Sequence, residues 1–149
     1  MLLEIPNAIK LEHEKLHADL SAATKMTGQT GQAAKRVAAV LHEHFLSEEK
    51  YAMPPLALLG PIADGQATRK MRSVIAVTDR LKSEMGRMLS EHKAILEALD
   101  ELGRAAKAES HPEVSRFVKE LIMHAQTEEQ VLYPAAILVG EYLKLKFSD

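Results

Sequence analysis

The 149-residue chain carries 19 Lys+Arg against 21 Asp+Glu, a formal charge of -2 with neutral histidines, and no cysteine. This balance, with no long basic run, argues against nucleic acid or a membrane surface as partner, and the missing cysteines exclude disulfides, thiolate metal sites and a cysteine nucleophile. No basic-plus-apolar leader and no apolar stretch of membrane-spanning length stands out, so the expectation is one cytoplasmic domain over 1–149 with a sizeable core. In chain order, Pro6 suits a first helical turn, and Ile9, Leu16 and Leu20 share a stripe with His13 and His17, which predicts a helix from Ile5 to about Met26. After the turn Thr27-Gly28-Gln29-Thr30-Gly31, a second helix presents Ala33, Val37, Val40, Leu41, His44 and Glu48 until Pro54-Pro55.

Residues 55–65, punctuated by Gly60, Pro61 and Gly65, are expected to form a short helical turn and a crossing loop. From Gln66 to Lys107 there is no proline, and an apolar stripe runs through Met71, Val74, Leu81, Met88, His92, Ile95 and Leu99. A bundle matched to the first two helices uses only about half of that length. Residues 66–83 therefore either protrude, or turn at a kink near Gly86 to cap the bundle or meet another subunit, which makes a homodimer through this segment one expectation. Ser110 and Glu113 have the spacing of a capping box that opens a fourth helix, with Val114, Phe117, Leu121, His124 and Glu128 inward. Ala135 to Phe147 is predicted as a helical extension entered through a kink at Pro134.

One stretch occurs twice. His44 to Pro54 and His124 to Pro134 share His, Glu-Glu and Pro at the same offsets, and Glu12-His13 matches Glu91-His92. The fold class implied is all-α, an antiparallel four-helix bundle from two duplicated αα-hairpins, about 5–54 and 84–147. On a helix, residues four apart differ by about 40°, so each His/Glu pair points at one place. Counting from the prolines puts His13, His44, His92 and His124 at one depth. Two buried carboxylates there need compensation, and a metal pair supplies it; imidazole with carboxylate suits iron, zinc or manganese. Glu49 and Glu129 are read as solvent-facing or as outer partners. His42 is expected on the surface, His111 in a structural role, and Tyr133 in packing with a satisfied hydroxyl rather than in a hydrogen bond near the centre.

His13-Glu14-Lys15-Leu16-His17 spells HExxH, but a metalloprotease reading leaves the duplicated His/Glu set unexplained and no strand pattern accompanies it. A ferritin-like site needs Glu-x-x-His in two helices, and only Glu14 to His17 fits.

A His in the first helix, His-x-x-x-Glu in the second, a His in the third and His-x-x-x-Glu in the fourth, with Glu-Glu and Tyr-Pro following, resembles the hemerythrin family and especially bacterial HHE cation-binding domains. The resemblance spans the chain apart from residues 60–80. It implies two iron ions bridged by carboxylates and an oxo or hydroxo group, with an open position for dioxygen or a related small ligand. Oxygen-carrying members have a second histidine four residues after the third-helix ligand, where this chain has Leu96, and they use Asp at i+5 where it has Glu128 at i+4. The repeat counterpart of Leu96 is His17, so the expected ligand set is His13, His17, His44, Glu48, His92, His124 and Glu128. Without His17, one iron is more open, which favours redox or sensing chemistry over carriage. The resemblance thus implies binding or sensing of dioxygen, nitric oxide or peroxide, or iron handling. The alternatives are a redox or iron-delivery enzyme of the repair type, and an interaction module with a structural metal.

Overall fold

The structure, a computed structural model, describes residues 3–148. Among them there is no strand, and the helices are α1 (Asn7–Thr24), α2 (Gly28–Ser47), the short α3 (Leu59–Ala63), α4 (Ile75–Ala108), α5 (Pro112–Thr127) and α6 (Tyr133–Lys146). Four long helices form a bundle in which α2 packs on α4, α4 on α5, and α1 on both α2 and α5. No helix among the described residues is long and apolar enough to cross a membrane.

The turns arise from local chemistry. Pro6 opens α1, its carbonyl accepting the N–H groups of Ile9 and Lys10 at 3.0 Å each. Between α1 and α2 the chain doubles back so tightly that a Cβ on Gly31 would lie 1.8 Å from the Met26 carbonyl oxygen. The first N–H groups of α2 are bound by Glu109, whose carboxylate accepts from Gln29 at 3.1 Å and Thr30 at 2.7 Å. The α4–α5 turn differs from the expected capping box. Ser110 has φ +61°, and the N–H of His111 donates to the Ala106 carbonyl at 2.8 Å while that of Ser110 donates to Lys107. This is a Schellman ending for α4 with Ser110 as its left-handed residue, and α5 starts at Pro112 without a side-chain cap.

Each proline at the end of the repeat would clash with the carbonyl four residues earlier, that of Lys50 for Pro54 and Gln130 for Pro134. Both of those residues lie in π-helical turns, Glu48–Ala52 and Glu128–Leu132. There the bonds reach five residues back, Met53 N–H to the Glu48 carbonyl at 2.8 Å and Tyr133 N–H to the Glu128 carbonyl. The wider turn adds a residue and rotates the chain beyond it by about 100° relative to an unbroken helix. After Pro54 the chain leaves the bundle through a 3₁₀ turn, Pro54–Leu58, whereas after Pro134 it continues as α6.

The long third helix neither breaks nor stands free. α4 runs uninterrupted through Gly86, preceded by a 3₁₀ turn at Arg69–Val74, and α6 covers its first half. Contact is closest where Gly140 meets Thr78; a Cβ there would sit 1.8 Å from Thr78 Oγ1. Met71, Val74, Thr78 and Leu81, the stripe that suggested a subunit interface, are buried within the chain.

The core is divided by a polar layer. Leu16, Leu20, Val37, Leu41, Leu99, Leu102, Phe117 and Leu121 cluster on one side, and Met53, Leu56, Leu81, Met88 and Tyr133 on the other. Each fully buried apolar side chain of this size contributes about 1.5–3 kcal/mol, which offsets the cost of the ionisable groups between them.

Candidate metal centre

The layer holds His13 from α1, His44 at the end of α2, His92 from the middle of α4 and His124 at the end of α5, together with Glu48 and Glu128, all buried. The π turns begin at the two carboxylates, so each stays one helical turn from its histidine while the backbone beyond it is redirected. The ligand-type atoms of His44, Glu48, His92 and Glu128 lie within 4.8 Å of one another, and so do those of His13, Glu48, His124 and Glu128. The two glutamates belong to both sets. Glu128 turns Oε1 to His92 Nε2 at 3.2 Å and Oε2 to His124 Nε2 at 3.0 Å, the disposition of a carboxylate that spans two cations.

Around the layer, carboxylates fix the imidazoles. His44 Nδ1 donates to Glu91 at 3.0 Å, His92 Nδ1 to Glu129 at 2.8 Å, and His124 Nδ1 to Glu12. A carboxylate can only accept, so in each neutral ring the proton sits on Nδ1 and the Nε2 lone pair points inward. His13 Nε2 lies 3.1 Å from His124 Nε2, and Glu48 Oε1 and Glu128 Oε2 are buried with no hydrogen-bond partner. Lone pairs and carboxylate oxygens facing each other without enough protons is a donor set that a cation satisfies. Four imidazole nitrogens and two carboxylates fit iron, zinc or manganese, and exclude sites that depend on thiolate.

Proton affinities within the cluster reflect the same crowding. Burial and the facing Glu128 carboxylate push Glu48 well above the usual carboxylate range. Burial acts alike on Glu128, but the acid proton of Glu48 and the imidazoles of His124, His13 and His92 outweigh it and hold Glu128 well below. One buried proton is thus shared by two carboxylates. Burial pulls His92 and His124 down, yet Glu128 with Glu129 or Glu12 raises both above the ordinary histidine value. His44 is lowered, burial being the largest cause.

Six of the seven sequence-predicted ligands converge here. His17 does not. It is exposed, its ring edge-on to Phe45 at 4.7 Å, and its pKa is lowered chiefly by burial of part of the ring. Phe45 also stacks on His13 at 4.6 Å, so the space through which His17 would have to enter is filled by a phenyl ring. Leu96, the matching position in the other hairpin, is likewise exposed. His42 is exposed, and His111 is half-buried with Nδ1 3.5 Å from Glu113.

Sequence reasoning missed two contributors and gave a third, Tyr133, a packing role. Glu12 and Glu91 precede His13 and His92 in the repeat, but their role is to hold the histidines of the neighbouring helices, His124 and His44. Tyr133 is fully buried, and its hydroxyl donates to Glu48 Oε2 at 2.8 Å and stands 3.1 Å from His92 Nε2 and 3.3 Å from His44 Nε2. Ideal α-helical spacing puts it about 140° from Glu128; the π turn brings it round to the layer, and the proline after it was the available signal. On the opposite side a groove of about 490 Å³, lined in part by Lys15, Lys119 and Met123, opens onto Glu12 and His124.

A bundle of helices meeting at buried imidazoles and two shared carboxylates has a donor set that could hold a cation. Residues 84–144, which carry His92, His124 and Glu128, match the family model of the hemerythrin HHE cation binding domain. Comparison with curated proteins and with solved structures gave no match.

Proposed function

We propose that the whole chain is a hemerythrin-like domain, an antiparallel bundle of two duplicated hairpins, that binds two iron ions through His13, His44, His92, His124, Glu48 and Glu128. The observation that carries this reading is Glu128, with one oxygen turned to each histidine pair, beside a second carboxylate common to both sets. When bound, the pair supplies one-electron chemistry and vacant positions for a small ligand. The chain's own groups set the rest. Glu12, Glu91 and Glu129 orient three imidazoles, and the apolar side chains above and below keep bulk water out. The groove at His124 gives a small molecule a path to one side.

With His17 turned away, one position has only four protein donors, which favours sensing or reacting with dioxygen, nitric oxide or peroxide over reversible carriage. The same opening supports the second reading, a redox or iron-delivery enzyme on this scaffold. Anaerobic loading with ferrous ion followed by metal analysis tests the pair, with two irons per chain expected and one or none overturning it. Exposing the loaded, reduced protein to oxygen then separates the uses: rapid autoxidation fits sensing or catalysis, and a stable, reversible adduct makes the protein a carrier.

A further inference from the structure

We propose that Tyr133 is a fifth protein ligand to one metal position only, that of His44 and His92, so that the two positions of the pair are chemically unlike. The proposal rests on the two-metal reading and deepens it. Around an octahedral ion with bonds of about 2.1 Å, neighbouring ligand atoms stand about 3.0 Å apart. The Tyr133 oxygen lies 2.8 Å from Glu48 Oε2, 3.1 Å from His92 Nε2 and 3.3 Å from His44 Nε2. These are edge lengths of one coordination polyhedron.

Proton counting points the same way. In the neutral rings the Nδ1 protons of His44 and His92 go to Glu91 and Glu129, so both Nε2 atoms are then acceptors, and Glu48 Oε2 adds a third. One hydroxyl proton cannot serve three acceptors. A cation in their midst serves all of them. On binding, the hydroxyl proton is released to solvent and no electron moves.

The repeat counterpart of Tyr133 brings no oxygen to the other position. Tyr133 precedes Pro134 as Met53 precedes Pro54, so the repeat sets a buried thioether against the phenol. Five protein donors then face four.

The test loads the 149-residue chain with iron and oxidises it. An iron(III)–phenolate unit gives a visible charge-transfer absorption and resonance-enhanced ring vibrations. We expect two irons, both signatures, a frequency shift in protein made with ring-deuterated tyrosine, and complete loss of the signatures in Tyr133→Phe but not in Tyr51→Phe or Tyr142→Phe. The isotope experiment uses unaltered protein, so it holds even if Tyr133→Phe folds poorly. Two irons without a phenolate signature overturn the Tyr133 assignment and leave the pair standing. One iron with the signature supports Tyr133 and overturns the pair; one without it, or no iron, overturns both.

Discussion

The two His/Glu sets share their carboxylates and differ in almost everything around them. At His44 and His92 both rings are tied by carboxylates, Glu91 and Glu129, and Tyr133 reaches in from the π turn. At His13 and His124 the tie to Glu12 holds only His124, and His13 lies against Phe45. The repeat explains the likeness, since it places a His and a Glu one helical turn apart in both α2 and the end of α5. Substitution within the repeat explains the difference: Phe45 stands where the second copy has Ala125, Met53 where it has Tyr133, and Glu49 is exposed where Glu129 is bonded. The two sets thus hold the same carboxylates in common, and the unlike residues around them make one side crowded and the other open.

The comparison breaks most completely at the shared groups. Glu128→Ala is expected to abolish binding of both ions, read by metal analysis after anaerobic loading; one ion kept at unaltered affinity would mean that the carboxylate is not common to the two positions. Next come the pairs. His44→Ala and His13→Ala are each expected to retain one ion, but only His44→Ala to lose the phenolate absorption, so identical spectra would erase the distinction between the sides. Phe45→Ala removes a buried ring from the His13 side, at about 3–5 kcal/mol in denaturant unfolding of the metal-free protein. Outside the site, Gly140→Ala forces a methyl into Thr78 and is expected to cost about 1–3 kcal/mol as α6 is pushed from α4. His17→Ala has the smallest expected effect, with unchanged metal content and spectrum; a lost ion would return His17 to the ligand set.

Acidity sharpens the same contrast. His92 and His124 have raised pKa values in the folded, metal-free chain, so their contribution to its stability is full below the ordinary histidine value and fades as pH rises through the raised one. His44, lowered by burial, acts in the opposite sense. Metal needs neutral rings, so binding releases protons and weakens as pH falls from about 8 to about 6. A titration at both pH values, with the released protons counted, checks the sign.

The sequence makes the convergence of four histidines and two glutamates legible because His-x-x-x-Glu is a statement about one helical turn, and because its spacing to the following proline recurs. It misleads wherever an answer depends on the groups that fill the neighbouring space. His17 shares the stripe of His13, yet nothing in the periodicity says that Phe45 occupies the approach. Ser110 and Glu113 spell a cap, but the backbone at Ser110 is needed to end the preceding helix. The apolar stripe of residues 66–83 marks a face that must be covered, and nothing in the periodicity says that α6 packs against it. Regular α-helical spacing turns Tyr133 away from the layer, and that spacing fails at the π turn before Pro134.

The most direct test of a shared-carboxylate pair is electron paramagnetic resonance of the iron-loaded, fully oxidised protein with its iron counted. The account predicts two irons per chain that are spin-coupled through the bridge, with no isolated high-spin ferric signal. Two uncoupled ferric signals, or a single iron per chain, would contradict it.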